Sequence, residues 1–212
     1  MPRRADLIRE LAGELRPSPR LRAPRHLALL WGAGAWLFVV GATIAVQPLR
    51  PGFLDQLLAS PRFAGETLFG LLAGWFAIWV AFAVGTPGRS QRRWTALALS
   101  GLAVWAGAYV YGLVRPALEP SVLGQRQLCF LEVLLYGLPA LAAGLLLLRR
   151  LAPLERWSAG LVMGMAAGAM PALLMQLACM YLPSHILSHH LGPAVGLALL
   201  GALAGPIVLR RI

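Results

Sequence analysis

The residues with the most reactive side chains in this chain are two cysteines and a group of histidines. Three of the four histidines stand within a stretch of six residues, which begins six positions after the second cysteine. A glutamate follows the first cysteine by three residues and a methionine precedes the second by four, so each lies about one helical turn from its cysteine. The candidate site residues are therefore Cys129, Cys179, His185, His189, His190, Glu132 and Met175.

Two kinds of chemistry fit this set. One is a disulfide, which facing thiols form in an oxidising compartment. The other is a metal site, because thiolate, imidazole and thioether ligands select soft or borderline ions such as copper, zinc or cadmium. His185 and His189 are four residues apart, so one helical turn would place both rings on one side. A structural role also stays open, since cysteine is a common buried hydrophobe and histidine favours membrane interfaces. We expect no obligatory cofactor.

The elements that must position these residues are membrane-spanning helices. Of the 212 residues, 58% are apolar and 13% are charged, about half the charged fraction of a soluble domain. A helix needs about 20 apolar residues to cross a bilayer, and six runs meet or approach that length. The sequence predicts an all-α, polytopic membrane protein, a bundle of six transmembrane helices without a soluble catalytic domain. The runs are Leu27–Val46, Leu68–Val84, Thr95–Val114, Leu128–Leu148, Ala159–Leu182 and Leu191–Leu209.

The arginines orient these spans. All 19 basic residues are arginine, and fifteen of them lie in the N-terminal tail, the second and fourth loops and the C-terminus. The exceptions are Arg50, Arg62, Arg115 and Arg126. Because positive residues stay on the cytoplasmic side, we expect a bacterial inner-membrane protein with both termini in the cytoplasm. The arginines flank apolar runs, so they indicate topology and membrane lipid rather than direct nucleic-acid binding. Both cysteines then lie at the outer ends of their spans.

Small residues recur at four-residue spacing in the fifth and sixth runs, as in Gly160, Gly164 and Gly168. Such ridges let helix backbones approach closely in a membrane, where apolar side chains gain little from one another. We expect them to serve packing within the chain, and the sequence leaves the oligomeric state open. In the first outer loop, Phe53–Leu58 is expected to form a short interfacial helix, whereas Pro183–His190 is expected to be the fifth loop.

The N-terminal tail carries a second candidate site. Its apolar and acidic residues fall on two separate stripes of a helical wheel, and the prolines at 17 and 19 end that helix. A short amphipathic helix of this kind can lie in the groove of a partner protein or on anionic lipid. We divide the chain into a cytoplasmic tail, 1–26, and a six-helix sensor domain, 27–212. The residues expected to contact the partner are Asp6, Leu7, Ile8, Glu10, Leu11, Glu14 and Leu15.

Taken in order, several segments resemble the NrsF family of bacterial inner-membrane anti-sigma factors. The resemblance lies in the order and spacing of these segments and covers nearly the full chain. They are Asp6-Leu7-Ile8-Arg9-Glu10-Leu11 with the Arg-Pro-rich stretch after it, Ser60-Pro61-Arg62-Phe63, Thr86-Pro87-Gly88-Arg89-Ser90, Cys129 and the stretch from Cys179 to His190.

The resemblance implies a regulator, not an enzyme. The tail would sequester an extracytoplasmic-function sigma factor, and a periplasmic metal or redox signal at Cys129 and Cys179 would release it. Two other interpretations compete with this one. A small transporter or channel would need polar residues deep in its spans, where only Thr43, Ser100 and Gln176 stand. A thiol-redox membrane enzyme would need a local cysteine pair such as C-x-x-C, which the sequence lacks.

Overall fold

Six long apolar helices make up most of the molecule. We analysed a computed structural model, which describes residues 4–14, 24–86 and 91–210. In these ranges six helical segments are long and apolar enough to cross a membrane, which confirms the all-α, six-span prediction. The shorter helices are α1 (Arg4–Glu14) in the tail and α3 (Phe53–Ala59) in the first outer loop. The first five spans are α2 (Pro24–Val46), α4 (Pro61–Val84), α5 (Gln91–Gly112), α6 (Cys129–Arg149) and α7 (Arg156–Ala178).

The sixth span is built from three consecutive pieces. A short helix, α8 (Pro183–His185), runs into a π-helical turn (Ile186–Leu191), and this turn continues as α9 (Gly192–Val208). The prediction that Pro183–His190 forms a loop is therefore wrong. Pro183 stands in the first turn of α8, where its missing N–H costs nothing, and helical hydrogen bonding continues from there.

Among the other span boundaries that differ from the apolar runs, two have a clear local cause. Helix α4 begins at Pro61, seven residues before Leu68, because Ser60 caps it: the Ser60 hydroxyl accepts a hydrogen bond from Phe63 N at 3.2 Å. Helix α7 ends at Ala178 rather than Leu182, because the backbone turns extended at Cys179. The second cysteine thus lies just beyond its helix instead of within it.

Helix α7 is the centre of the bundle. Every residue from Val162 to Gln176 is buried, whereas the other spans expose large apolar side chains on their outer faces. Its glycines let α9 approach backbone to backbone: a Cβ added at Gly164 would overlap the carbonyl oxygen of Leu197, and one at Gly160 would overlap that of Gly201. The prediction that this glycine ridge serves packing within the chain is confirmed.

The bundle has two ends of different character. At one end, which we call the cysteine end, α3, the loops 47–52 and 113–128, and residues 179–182 meet. The hydroxyl of Ser60 donates to Ala117 O at 3.1 Å, and Ser121 N donates to Tyr181 O at 3.0 Å. At the other end, the arginine-rich end, the arginine side chains are exposed: Arg92, Arg93, Arg149, Arg150 and Arg156.

Candidate functional site

Four of the predicted site residues converge at the cysteine end. Cys129 begins α6, Cys179 follows α7, His185 ends α8 and His190 lies in the π-helical turn. One sulfur or nitrogen atom from each of the four lies within 4.8 Å of the corresponding atoms of the other three. Residues from three separate parts of the chain thus present two sulfur and two nitrogen atoms to a common point.

The two thiols are free and buried, with 1% of Cys129 and none of Cys179 exposed. His185 lies between them: its Nε2 is 3.1 Å from Cys129 Sγ and 3.5 Å from Cys179 Sγ. A single imidazole nitrogen therefore contacts both sulfur atoms. His185 is itself only half-buried, so the group lies close to the protein surface.

His190 completes the group, and the π-helical turn explains why. In an α-helix the residue four positions after His185 would follow it on the same face, but a π-helix closes its hydrogen bonds over five residues. The π-helical turn therefore also brings His190, five residues after His185, to the side on which the sulfur atoms lie. Its side chain is fully buried, and by distance and angle neither ring nitrogen forms a hydrogen bond with any of the described residues. An imidazole buried without partners is rare, because leaving buried polar atoms unsatisfied is costly.

His189 occupies a different position. Its ring stacks on that of His185 with centroids 4.3 Å apart, as the four-residue spacing predicted, but the side chain is exposed. Its Nδ1 lies 2.7 Å from the hydroxyl of its neighbour Ser188. The structure thus places His189 at the outer side of His185 and outside the group of four.

The surroundings of Cys179 favour its thiolate form. A hydrogen bond from Cys129, and a further one from His185, lower the pKa of the Cys179 thiol, whereas burial acts in the opposite direction. The Arg50 guanidinium lies nearby and donates to the carbonyl oxygen of Cys179 at 2.8 Å. A thiol with a lowered pKa is the more reactive partner of a pair, both toward metal ions and toward oxidants.

Glu132 is held by a partner that the sequence did not reveal. The Arg126 guanidinium, fully buried, forms an ion pair with the Glu132 carboxylate at 2.8 Å and donates to Gln47 O at 2.8 Å and to Thr43 O at 3.1 Å. Tyr136 also donates to Glu132, at 3.4 Å. This carboxylate therefore ties the start of α6 to the end of α2 and is not one of the four converging residues.

Like Arg126, two more of the four arginines that lie outside the arginine-rich segments have structural partners. Arg50 is 2% exposed and contacts the Phe63 ring with its guanidinium 5.7 Å from the centroid. Arg62 donates to the buried Glu66 at 3.1 Å. The sequence signal that could have found them is their position, because they stand in the loops where the charge asymmetry predicts few arginines.

The remaining predicted residues are not among the four converging residues. Met175 is fully buried and packs in the same apolar cluster as both cysteines. In the tail, the helix predicted for residues 4–16 is present as α1 over Arg4–Glu14, with residues 15 and 16 outside the described ranges, and Ile8 and Leu11 are 60% and 55% exposed. Asp6 and Glu10 are exposed as well. The side chains of Leu7 and Glu14, and the whole of Leu15, lie outside the described residues.

Comparison with known proteins decides the family. A profile described as NrsF, negative regulator of sigma F, matches residues 11–210. The chain belongs to the NrsF family. It is also 32% identical to the anti-sigma-F factor NrsF of Caulobacter vibrioides (strain NA1000 / CB15N), over 97% of this chain and 98% of that protein. No solved structure matches it.

Membership confirms the resemblance of the sequence to NrsF and makes the protein a membrane-embedded negative regulator of a sigma factor. The class of that sigma factor, the role of the tail, the orientation in the membrane and the signal at the cysteines stay predictions.

Proposed function

We propose that this NrsF protein holds an extracytoplasmic-function sigma factor at the inner membrane through α1, and releases it when a metal or redox signal reaches Cys129 and Cys179 from the periplasm. The observation that carries the proposal is the meeting of the two thiols with His185 at the end of the bundle opposite the exposed arginines. The signal site and the tail then lie on opposite sides of the membrane.

The exposed stripe on α1 supports the role of the tail. More than half of the Ile8 and Leu11 side chains is exposed, on a helix only 11 residues long. A helix of that length is marginal in water without packing, so an uncovered apolar face is best explained by a partner that covers it. Asp6 and Glu10 add exposed carboxylates, which suit the basic surface of a DNA-binding protein.

The distribution of exposed arginines supports the proposed orientation in the membrane. At the cysteine end, Arg50 and Arg126 are buried and Arg62 is paired with Glu66, so three of the four arginines there have structural partners. The arginines that the structure describes at the opposite end, Arg92 and Arg149 among them, are exposed. Counting only exposed arginines therefore strengthens the charge asymmetry that predicts the orientation, with the arginine-rich end and both termini in the cytoplasm.

The position of α7 supports a path for the signal. Cys179 follows α7 directly, and α7 is the helix that α4, α6 and α9 all surround. A change in the contacts of Cys179 would therefore act on α7 at the cysteine end. The first residue of α7, Arg156, lies at the arginine-rich end. A ligand can shift such a bundle only by binding one of its arrangements more tightly than the other.

The test is capture of the sigma factor by membranes that contain the full chain. The double variant Ile8→Asp with Leu11→Asp should reduce the sigma factor that sediments with the membranes at least about tenfold, because charges replace the apolar contact. The control is Leu123→Asp, an apolar residue of similar exposure (52%) at the cysteine end. If the double variant retains as much sigma factor as the control does, the tail is not the binding element.

A further inference from the structure

The cysteine end contains the donor atoms that a specific metal site would need. Four candidate donors lie together, one of them a fully buried imidazole whose nitrogens form no hydrogen bond by distance and angle in the part of the chain that the structure describes. We infer that Cys129, Cys179, His185 and His190 form a closed, four-ligand site for a divalent d¹⁰ ion such as zinc or cadmium. This inference names the residues that would bind the signalling metal ion, so it rests on the proposed function.

The distances fit a tetrahedral ion. An ion bound by sulfur at about 2.3 Å and by nitrogen at about 2.0 Å holds its donor atoms about 3.3–3.8 Å apart. In the structure, His185 Nε2 lies 3.1 Å and 3.5 Å from the two sulfur atoms, and no pair of the four donors exceeds 4.8 Å. Side-chain movements of about an ångström or less bring all four donors to a common ion.

The charges select a divalent ion. In the bound state both cysteines are thiolates, so two thiolates and two neutral imidazoles balance a charge of +2 and leave the site neutral. A neutral site suits this buried place at the end of the membrane spans, where an uncompensated charge is expensive. A monovalent ion such as copper(I) would leave the four ligands with a net charge of −1, so the ligand set by itself matches a divalent ion.

The structure also separates the ligands from their neighbours. Glu132 is occupied by the buried Arg126, and His189 is exposed and lies on the outer face of the His185 ring. Neither belongs to the group of four. The π-helical turn therefore makes His190 rather than His189 the second nitrogen ligand, which gives the inference a sharp discriminating prediction.

An ion bound here would join three parts of the bundle. Cys129 is the first residue of α6, Cys179 is the residue after α7, and His185 and His190 lead into α9. Before binding, these segments are held by the contacts of His185 Nε2 with the two sulfur atoms. Coordination would fix their relative positions, which supplies the difference between two arrangements that release of the sigma factor requires.

The test uses the full chain, purified in detergent without a polyhistidine tag, reduced and freed of metal, and titrated with Zn²⁺ or Cd²⁺ alone. We expect one ion per chain. His190→Asn should weaken binding at least about 100-fold, because losing a ligand costs no less than losing a residue that orients one. The matched control His189→Asn should stay within about tenfold of the unchanged protein.

A second measurement needs no variant: X-ray absorption of the zinc-loaded protein should show two sulfur and two nitrogen neighbours, at about 2.3 Å and 2.0–2.1 Å. Equal losses for the two histidine variants, a different ligand set, or failure of the reduced protein to bind either ion would overturn the inference. Capture of the sigma factor by the metal-free protein is measured separately, so a failed metal site and a failed anti-sigma role give different results.

Discussion

The cysteine end and the tail helix α1 are built in opposite ways. At the cysteine end two arginines are buried and held: Arg126 bonds Glu132 and three backbone carbonyls, and Arg50 bonds the carbonyl of Cys179. On α1 the only described ion pair, between Arg9 and Asp6, spans 3.8 Å with both side chains mostly exposed. One region is fixed by its own chain, whereas the other leaves its apolar stripe uncovered.

Under the proposed function, this difference corresponds to a division of roles between the two regions. A site that must respond to a small ligand benefits from residues held close to their binding geometry, and such residues need a rigid support. A segment that binds a protein partner gains nothing from being covered by its own bundle. Changes at the cysteine end should therefore alter the stability of the bundle, and changes in α1 should leave it unaltered.

The largest contrast is expected between the two ion pairs. Glu132→Leu leaves the buried Arg126 without its carboxylate and should lower the free energy of unfolding by about 3–5 kcal/mol. Asp6→Asn removes an exposed pair and should change it by less than about 1 kcal/mol. Denaturant unfolding of both variants in detergent measures the difference. Similar values for the two would mean that the cysteine end is no more rigidly built than the tail.

A smaller effect is expected at the start of α4. Ser60→Ala removes the cap from Phe63 N and the bond to Ala117 O, so it should lower the free energy of unfolding by about 1 kcal/mol. The same unfolding measurement applies, with Ser60→Thr as the control that keeps the hydroxyl. Equal stability of the alanine and threonine variants would show that this capping bond does not support the cysteine end.

The substitutions expected to disturb the protein least report which side of the membrane each end of the bundle faces. Val122 and Leu154 are exposed to 71% and 72% at the cysteine and arginine-rich ends respectively. Single cysteines at these positions, introduced into a protein with Cys129 and Cys179 replaced by serine, should change the stability of that protein little, because both side chains are exposed. A membrane-impermeant maleimide added to intact spheroplasts should label Val122→Cys and leave Leu154→Cys unlabelled until the membrane is opened. The reverse pattern would turn the cysteine end toward the cytoplasm.

Much of the fold follows from the sequence because the bilayer imposes simple rules. Apolar runs of fixed length identify the six spans, and glycines at four-residue spacing indicate how α7 and α9 pack. The ends of the spans were less predictable. Ser60 extends α4 by a capping bond, and the backbone leaves the helix at Cys179, neither of which an apolar run can indicate.

The site was predictable as a set of residues and not as a geometry. The sequence indicates both cysteines and all three histidines, but His190 joins the sulfur atoms only because a π-helical turn replaces an α-helical one. The burial of Arg50 and Arg126 depends on loops that fold over the ends of three helices. Contacts of that kind join residues far apart in the chain, and no local pattern predicts them.

The most direct test of the whole account measures release of the sigma factor by membranes that carry the protein. Cd²⁺ or an oxidant, added from the periplasmic side, should release the sigma factor from the unchanged protein. The double variant Cys129→Ser with Cys179→Ser should capture the sigma factor equally well and keep it bound after the same addition. Release from the double variant to the same extent would contradict the account, since the signal would then act without the thiols.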